Sequence, residues 1–354
     1  MSYGNYPNLS SVRKILVIKL RHHGDVLLTS PVFSILKSRF PNAQIDALVY
    51  SETKPMLEGH PAIHQFFSYD KSLKKQGLFK RVAKEIGFLR TIRSQKYDLV
   101  LNLTEGDRGA LLALASGAPI RVGYDPEGKG FRGKKKVFTH IVKNCKTPRH
   151  AVERNLDALR RIGIFPSNAE RDLTFVIPEE APRFSEGYIL IHPVSRWRFK
   201  CPPMSFIAQL IDQLQDRGQR IVLSASPDPH EMAMIEEILA QVKEPGKIIN
   251  KAGKTSLKEL GALIEGSECL ICVDTVALHM ASALKTPTLV FFGPTSWENW
   301  GPWQNLQVKI ITAGFSCQPC GMDGCGGSKK SDCLHSLSIE SVMQEILNLQ
   351  ASFV

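Results

Sequence analysis

Four short stretches carry the side chains best suited to chemistry. The apolar run at 14–20 (KILVIKL) leads into Arg21-His22-His23-Gly24-Asp25-Val26. A carboxylate at such a strand-to-helix turn is either the N-cap of the helix that follows or a general base that takes the proton of an attacking hydroxyl. His22 and His23 either orient that carboxylate, or contact the hydroxyl's carrier, or are loop residues in solvent. A second apolar run, ECLICV at 268–273, ends in Asp274-Thr275, and His279 follows one turn later on a helical segment. The start of that helix offers free backbone N–H groups and the positive end of its dipole, which suits a diphosphate. Taken singly, Asp274 reads as a cap and His279 as a packed ring; their grouping with Thr275 at a strand end favours the phosphate reading. The third stretch, Ile191-His192-Pro193-Val194-Ser195-Arg196 with Lys200, supplies a hydroxyl and two cations. These either neutralise charge on a departing nucleoside diphosphate or form a solvated basic loop. In the fourth, Ser224-Ala225-Ser226-Pro227-Asp228 leads into a helix with Glu231, which either accepts hydrogen bonds from a ribose or is an ordinary first-turn acid.

The elements that must hold these residues alternate from end to end. Strand-like runs at 14–20, 45–50, 97–103 and 120–123 are interleaved with helical periodicity at 26–39, 77–95, 108–115 and 150–163. Residues 165–187 turn to Pro, Glu, Ser and Asn, the composition of a linker. The pattern then restarts, with strands at 188–192, 220–224, 247–250, 268–273 and 288–292 and helices beginning near Pro203, Pro229, Ser256 and Thr275. Such alternation implies parallel sheets with crossover helices, hence an α/β protein of two Rossmann-like, doubly wound domains with ligands at the C-terminal strand ends of a cleft. The expected division is 1–165, a linker over 166–187, and 188–354. The first turn holds a single glycine, Gly24, rather than the GxGxxG of a dinucleotide site, so no such cofactor is expected there.

Bulk properties narrow the partners. Among 354 residues, 43% are hydrophobic and 22% charged, as in soluble globular proteins. No apolar run approaches the ~20 residues that span a bilayer, and the polar start has no secretory core. A cytoplasmic location with reduced thiols is therefore expected. The net charge of +11 favours anionic partners, yet no nucleic-acid reading helix or aromatic platform is apparent. Residues 71–96 hold nine Lys/Arg against one acid, Glu85, with Leu78, Phe79, Val82, Ile86, Leu89 and Ile92 at helical spacing. That is either a basic amphipathic helix at a membrane surface or a helix whose apolar stripe faces the core. A second basic run covers 129–136. Cys317, Cys320, Cys325 and Cys333 fall within 17 positions, dense enough to raise a structural zinc, while no catalytic metal is expected. Trp297, Trp300 and Trp303 are read as covering a cleft or interface.

Three ordered motifs carry a family resemblance: Lys19-x5-Asp25-Val26-Leu27-x3-Pro31, Asp274-Thr275-x3-His279-x-Ala281-x-Ala283, and Phe292-Gly293-Pro294-Thr295. With Arg121-Val122-Gly123-Tyr124 and His150-Ala151-Val152-Glu153-Arg154, the chain resembles the lipopolysaccharide heptosyltransferases of glycosyltransferase family 9 over nearly its whole length. The resemblance implies a GT-B fold and an inverting, metal-independent transfer, without a cofactor, of heptose from ADP-heptose to a heptose of the lipopolysaccharide inner core. Asp25 would be the base, with His22, His23 and Gly24 on the acceptor side. Ser195, Arg196, Lys200, Asp274, Thr275 and His279 would serve the donor, and Glu231 its ribose. Two departures stand out: Ser224-Ala225-Ser226 where many relatives have glycines, and Val276 after Asp-Thr where the family commonly has Gly. An anionic inner core on an anionic leaflet would account for the basic surplus, and implies peripheral contact with the inner membrane and no nucleic-acid partner. The alternatives are another GT-B enzyme acting on UDP-sugars, as transferase or epimerase, or a noncatalytic basic binding protein.

Overall fold

A computed structural model describes residues 6–70 and 78–351. The chain divides into two compact units, Met1–Val176 and Ile177–Val354.

In the first unit, β1 (Lys14–Lys19), β2 (Gln44–Tyr50), β3 (Gln65–Tyr69), β4 (Leu99–Asn102), β5 (Ile120–Tyr124) and β6 (His140–Val142) form one sheet in the order β3-β2-β1-β4-β5-β6. Every pairing is parallel, with Ile15 opposite Ile45 on one side and Leu99 on the other. Central strands of such a sheet are covered on both faces, which is why β1 and β4 read as unbroken apolar runs. The helices between strands are α1 (His23–Leu27), α2 (Ser30–Arg39), α3 (Leu78–Ser94) and α4 (Asp107–Ser116), and α5 (Ala151–Arg160) follows β6.

The second unit repeats the plan. Strands β7 (Ile189–His192), β8 (Ile221–Leu223), β9 (Ile249–Asn250), β10 (Cys269–Val273), β11 (Thr288–Phe291) and β12 (Val308–Ile311) are ordered β12-β11-β10-β7-β8-β9, again all parallel. Helices α6 (Met204–Asp216), α7 (Pro229–Leu239), α8 (Leu257–Glu265) and α9 (Val276–Leu284) cross over between them. After two single turns, α10 (Trp297–Trp300) and α11 (Asp332–His335), the helix α12 (Ile339–Ala351) packs Ile339, Val342, Met343 and Ile346 into the core formed by Ile207, Ile211 and Phe291. Both sheets thus have the doubly wound order in which the strand sequence reverses once, between β1 and β4 and between β7 and β10.

Several expectations need adjustment. The helix read at 26–39 is two helices: α1 starts at His23, and α2 restarts after Thr29 with Pro31 in its first turn. Part of the segment read as linker packs on the first unit. Thr174 N donates to Ser30 Oγ at 2.9 Å, Arg39 pairs with Glu170 at 2.8 Å, and Leu173 and Phe175 are buried. Of the basic stretch, residues 71–77 lie outside the described residues, as do the side chains of Leu78 and Phe79. Farther along α3 the apolar stripe is divided. Ile92 is fully buried and Phe88 and Leu89 pack on the core, whereas Val82 and Ile86 are 46% and 43% exposed. Among the described residues no helix is long and apolar enough to cross a membrane.

Candidate active site

The reversal points are where each sheet leaves its strand ends open, and most of the singled-out residues follow the strands that flank them, with Glu231 one strand away, after β8. In the first unit β1 ends at Lys19 and the chain turns into α1. The N-cap there is His22, which makes no side-chain cap bond, and Asp25 sits inside the first turn. Asp25 is therefore not the helix cap. Its carboxylate is only 14% exposed and lies 3.9 Å from the Arg21 guanidinium. His23 is fixed by its Nε2, 2.9 Å from the carbonyl of Glu52, and His22 is exposed. Gly24 and His23 are half-buried beside them.

Beneath this turn is a group that spacing alone did not single out. The Lys19 ammonium is buried and donates to Leu103 O at 3.0 Å and to Asn155 Oδ1 at 3.1 Å. Asn155 in turn donates to Leu28 O at 2.9 Å, and Leu20 N donates to Thr104 Oγ1 at 2.8 Å. The ends of β1 and β4, the turn holding Asp25 and helix α5 are thereby tied together. Burial lowers the Lys19 pKa to about 8, while the nearby charge of Asp25 acts to raise it. In the sequence it figures only as the lysine closing the apolar run KILVIK and as the first residue of the motif that ends at Pro31.

In the second unit the two strands flanking the reversal deliver a cation and an acid to each other. Lys200, just past β7, donates through Nζ to Asp274 Oδ2 at 2.6 Å, with Asp274 6% exposed. Ser195, buried in the same loop, accepts from Trp197 N at 3.3 Å, and Arg196 is exposed. Thr275 is the N-cap of α9 but forms no side-chain cap bond, and its Oγ1 is buried without a hydrogen-bond partner. Val276, Ala277 and Leu278 therefore open the helix with no side chain closing its N–H groups. His279 lies one turn on and is buried.

Glu231, on the first turn of α7, is 7% exposed and accepts from Ser226 N at 3.0 Å, so it holds the loop after β8. At the end of β7 the buried His192 has its Nδ1 2.9 Å from Ser224 Oγ; burial lowers its pKa, opposed by the charge of Glu231. Ser224, the first serine of the Ser224-Ala225-Ser226 turn, thus has a partner on the neighbouring strand. Among the described residues no three His, Cys, Asp or Glu are gathered to hold a metal, and the four C-terminal cysteines are free thiols, three of them exposed. Trp297 stacks edge-on to Phe292 at 6.4 Å, beside the turn after β11.

The arrangement offers a nearly buried carboxylate on one unit and, on the other, an ammonium, a hydroxyl and an open helix start. A carboxylate of that kind is suited to accept a proton from a hydroxyl, and an ammonium beside an open helix start is suited to a diphosphate. The profile of glycosyltransferase family 9 (heptosyltransferase) matches residues 86–330. Lipopolysaccharide heptosyltransferase 3 of Escherichia coli K12 is 35% identical over 312 residues, 85% of this chain and 88% of that one. Lipopolysaccharide heptosyltransferase 2 of the same organism is 26% identical over 306 residues, 80% and 83% of the two chains. Among solved structures, the E. coli ADP-heptose lps heptosyltransferase II superposes with a TM-score of 0.77 at 22% identity, covering 96% of this chain and 99% of that one. The glycosyl transferase family 9 protein of Veillonella parvula gives 0.81 at 21% identity, covering 99% and 100%. These likenesses show the fold to be GT-B, and with the profile and the 35% identity they establish that the chain is an enzyme of glycosyltransferase family 9, the heptosyltransferases.

Proposed function

We propose that this protein transfers heptose, with inversion, from ADP-heptose to a heptose of the lipopolysaccharide inner core. The observation that carries the reading is the second unit's reversal point, where Lys200, Asp274, Ser195 and the open start of α9 converge. An ammonium and unpaired helix N–H groups suit a diphosphate leaving group, whose charge grows as the glycosidic bond breaks. Asp274 holds Lys200 in place and Thr275 supplies a hydroxyl, with Arg196 and His279 beside the same loops. Glu231 meets the ribose once the loop it braces is engaged. On the first unit Asp25 takes the proton of the acceptor hydroxyl as that oxygen attacks the anomeric carbon. His22, His23 and Gly24 flank the acceptor. No metal or cofactor takes part in this scheme. Relatives 35% and 31% identical are named lipopolysaccharide heptosyltransferase 3, and the similar E. coli structure is named an ADP-heptose lps heptosyltransferase; the inner-core acceptor follows from the family resemblance of the motifs.

The same reading places the protein in the cytoplasm, peripherally at the inner membrane. Its support is the net charge of +11 and the exposed Val82 and Ile86 on a lysine- and arginine-rich helix.

The test is ADP release from ADP-heptose with and without truncated core acceptors. Wild type should release ADP only with acceptor. Asp25→Ala should lose about 10²–10⁴-fold in turnover, the usual worth of a general base, while binding ADP normally. Release from a UDP-sugar instead, or undiminished turnover in Asp25→Ala, would overturn the donor or the base respectively.

A further inference from the structure

The segment 314–334, which carries Cys317, Cys320, Cys325 and Cys333, does more than connect β12 to α12. It lies across two of the strand-end loops in the second unit and is bonded to both. Gln318 Nε2 donates to Phe292 O at 3.3 Å and to Gly293 O at 3.2 Å, and Gly321 N donates to Pro294 O at 2.8 Å. The turn after β11 is therefore held by three of its carbonyls. Farther along, the Ser331 hydroxyl, 2% exposed, donates to Phe199 O at 2.7 Å. That carbonyl belongs to the peptide joining Phe199 to Lys200, whose ammonium grips Asp274. Leu334, fully buried, fills the space a Cβ on Gly293 would need, at 2.7 Å. One strap thus fixes the loop bearing Lys200 and the Gly293-Pro294-Thr295 turn relative to each other. The loop bearing Lys200 has only a single 3-10 turn of its own, Arg198–Lys200, and the turn after β11 has none before α10 begins.

We propose that Ser331 and Gln318 are positioning residues of the donor site, resting on the reading of this unit as the nucleotide-sugar side. They pin the backbone carbonyls of the two loops so that Lys200 and the turn after β11 stand ready before the donor arrives. Binding to loops already in place avoids the ordering cost that mobile loops would add. Neither side chain touches the reacting atoms, so its loss should weaken donor binding and leave the chemical step intact.

The experiment measures ADP affinity by calorimetry, and donor KM, acceptor KM and kcat with ADP-heptose, on the full chain. Ser331→Ala leaves a buried carbonyl without its donor and should raise the ADP Kd and the donor KM about tenfold, with kcat and acceptor KM within about twofold. Ser331→Thr, which keeps the hydroxyl, should restore most of the affinity. Gln318→Leu, on a half-buried side chain, should act in the same direction and carries the test if Ser331→Ala does not fold. Ser336→Ala is the control: that hydroxyl donates only to Asp332 O of its own turn, at 2.9 Å, and its loss should change nothing. Variants indistinguishable from wild type, or a fall in kcat at unchanged donor KM, would refute the positioning role while leaving the transferase reading intact. A wild type that binds no ADP would instead overturn that reading, and the positioning role with it.

Discussion

Single residues differ in how far they announce themselves in the sequence. Asp274 follows its apolar run directly and Asp25, Ser195 and Lys200 lie in the loops just after theirs, so their place beyond strand ends was legible from the runs. What the runs could not tell was which of two roles each plays. Asp25 is excluded as a helix cap only because the helix begins two residues earlier, at His23. Lys19 entered only as a letter of a motif, since a lysine inside a strand gives no spacing cue to its burial. Its burial has a measurable sign. A lysine that titrates near pH 8 when folded and near 10.4 when unfolded binds fewer protons folded than unfolded between those values. Stability therefore rises with pH across that window, and the full cost of the buried ammonium is present below it. Between pH 7.5 and 10, wild type should gain ~2 kcal/mol relative to Lys19→Met. Denaturant melts of both proteins at the two pH values check this, and parallel changes would mean that Lys19 is not so shifted.

At the scale of elements, the strands found from sequence and the strands overlooked divide by position in the sheet. The strands with no clear signal were β3, β6 and β12, and each is an edge strand. An edge strand has one hydrogen-bonded neighbour and is less covered, so it needs no unbroken apolar run. QFFSY in β3 alternates between buried and exposed, and β6 and β12 are mostly half-buried. The short edge β9 was legible because Ile248 and Ile249 follow a turn, though only two of its residues pair. Close packing beside an edge is also testable. Gly123 on β5 faces Phe138, whose ring would lie 2.4 Å from an added Cβ. Gly123→Ala should cost about 1–3 kcal/mol through overpacking, seen as a lower melting midpoint. Gly87 on α3 has nothing within 4 Å of an added Cβ, so Gly87→Ala should be neutral or stabilising by up to ~1 kcal/mol. Equal effects at the two sites would contradict this account of the packing.

For the whole molecule, the repeated βα pattern announced two doubly wound units, because each strand buried on both faces writes the same apolar run. The division of the chain was less legible. Polar composition at 165–187 marked a linker, yet Leu173 and Phe175 are buried and Thr174 is bonded to Ser30; a few apolar residues spaced among prolines and acids suffice to anchor a segment. Net charge is the other property that only the whole chain possesses. An excess of +11 attracts an anionic surface with a strength that falls as salt shortens the Debye length from about 10 Å at 0.1 M toward 3 Å at 1 M. Each basic residue near such a surface contributes about 1 kcal/mol, and exposed Val82 and Ile86 on α3 add apolar contact that salt does not screen. The protein should therefore sediment with vesicles containing anionic lipid at low salt and not with neutral ones. Raising salt should release most of it. Val82→Ser with Ile86→Ser should lower the fraction that remains bound at high salt while leaving the low-salt component largely in place. If neutral and anionic vesicles bind equally, the charge has another use; if the double variant binds like wild type at every salt, α3 does not face the lipid.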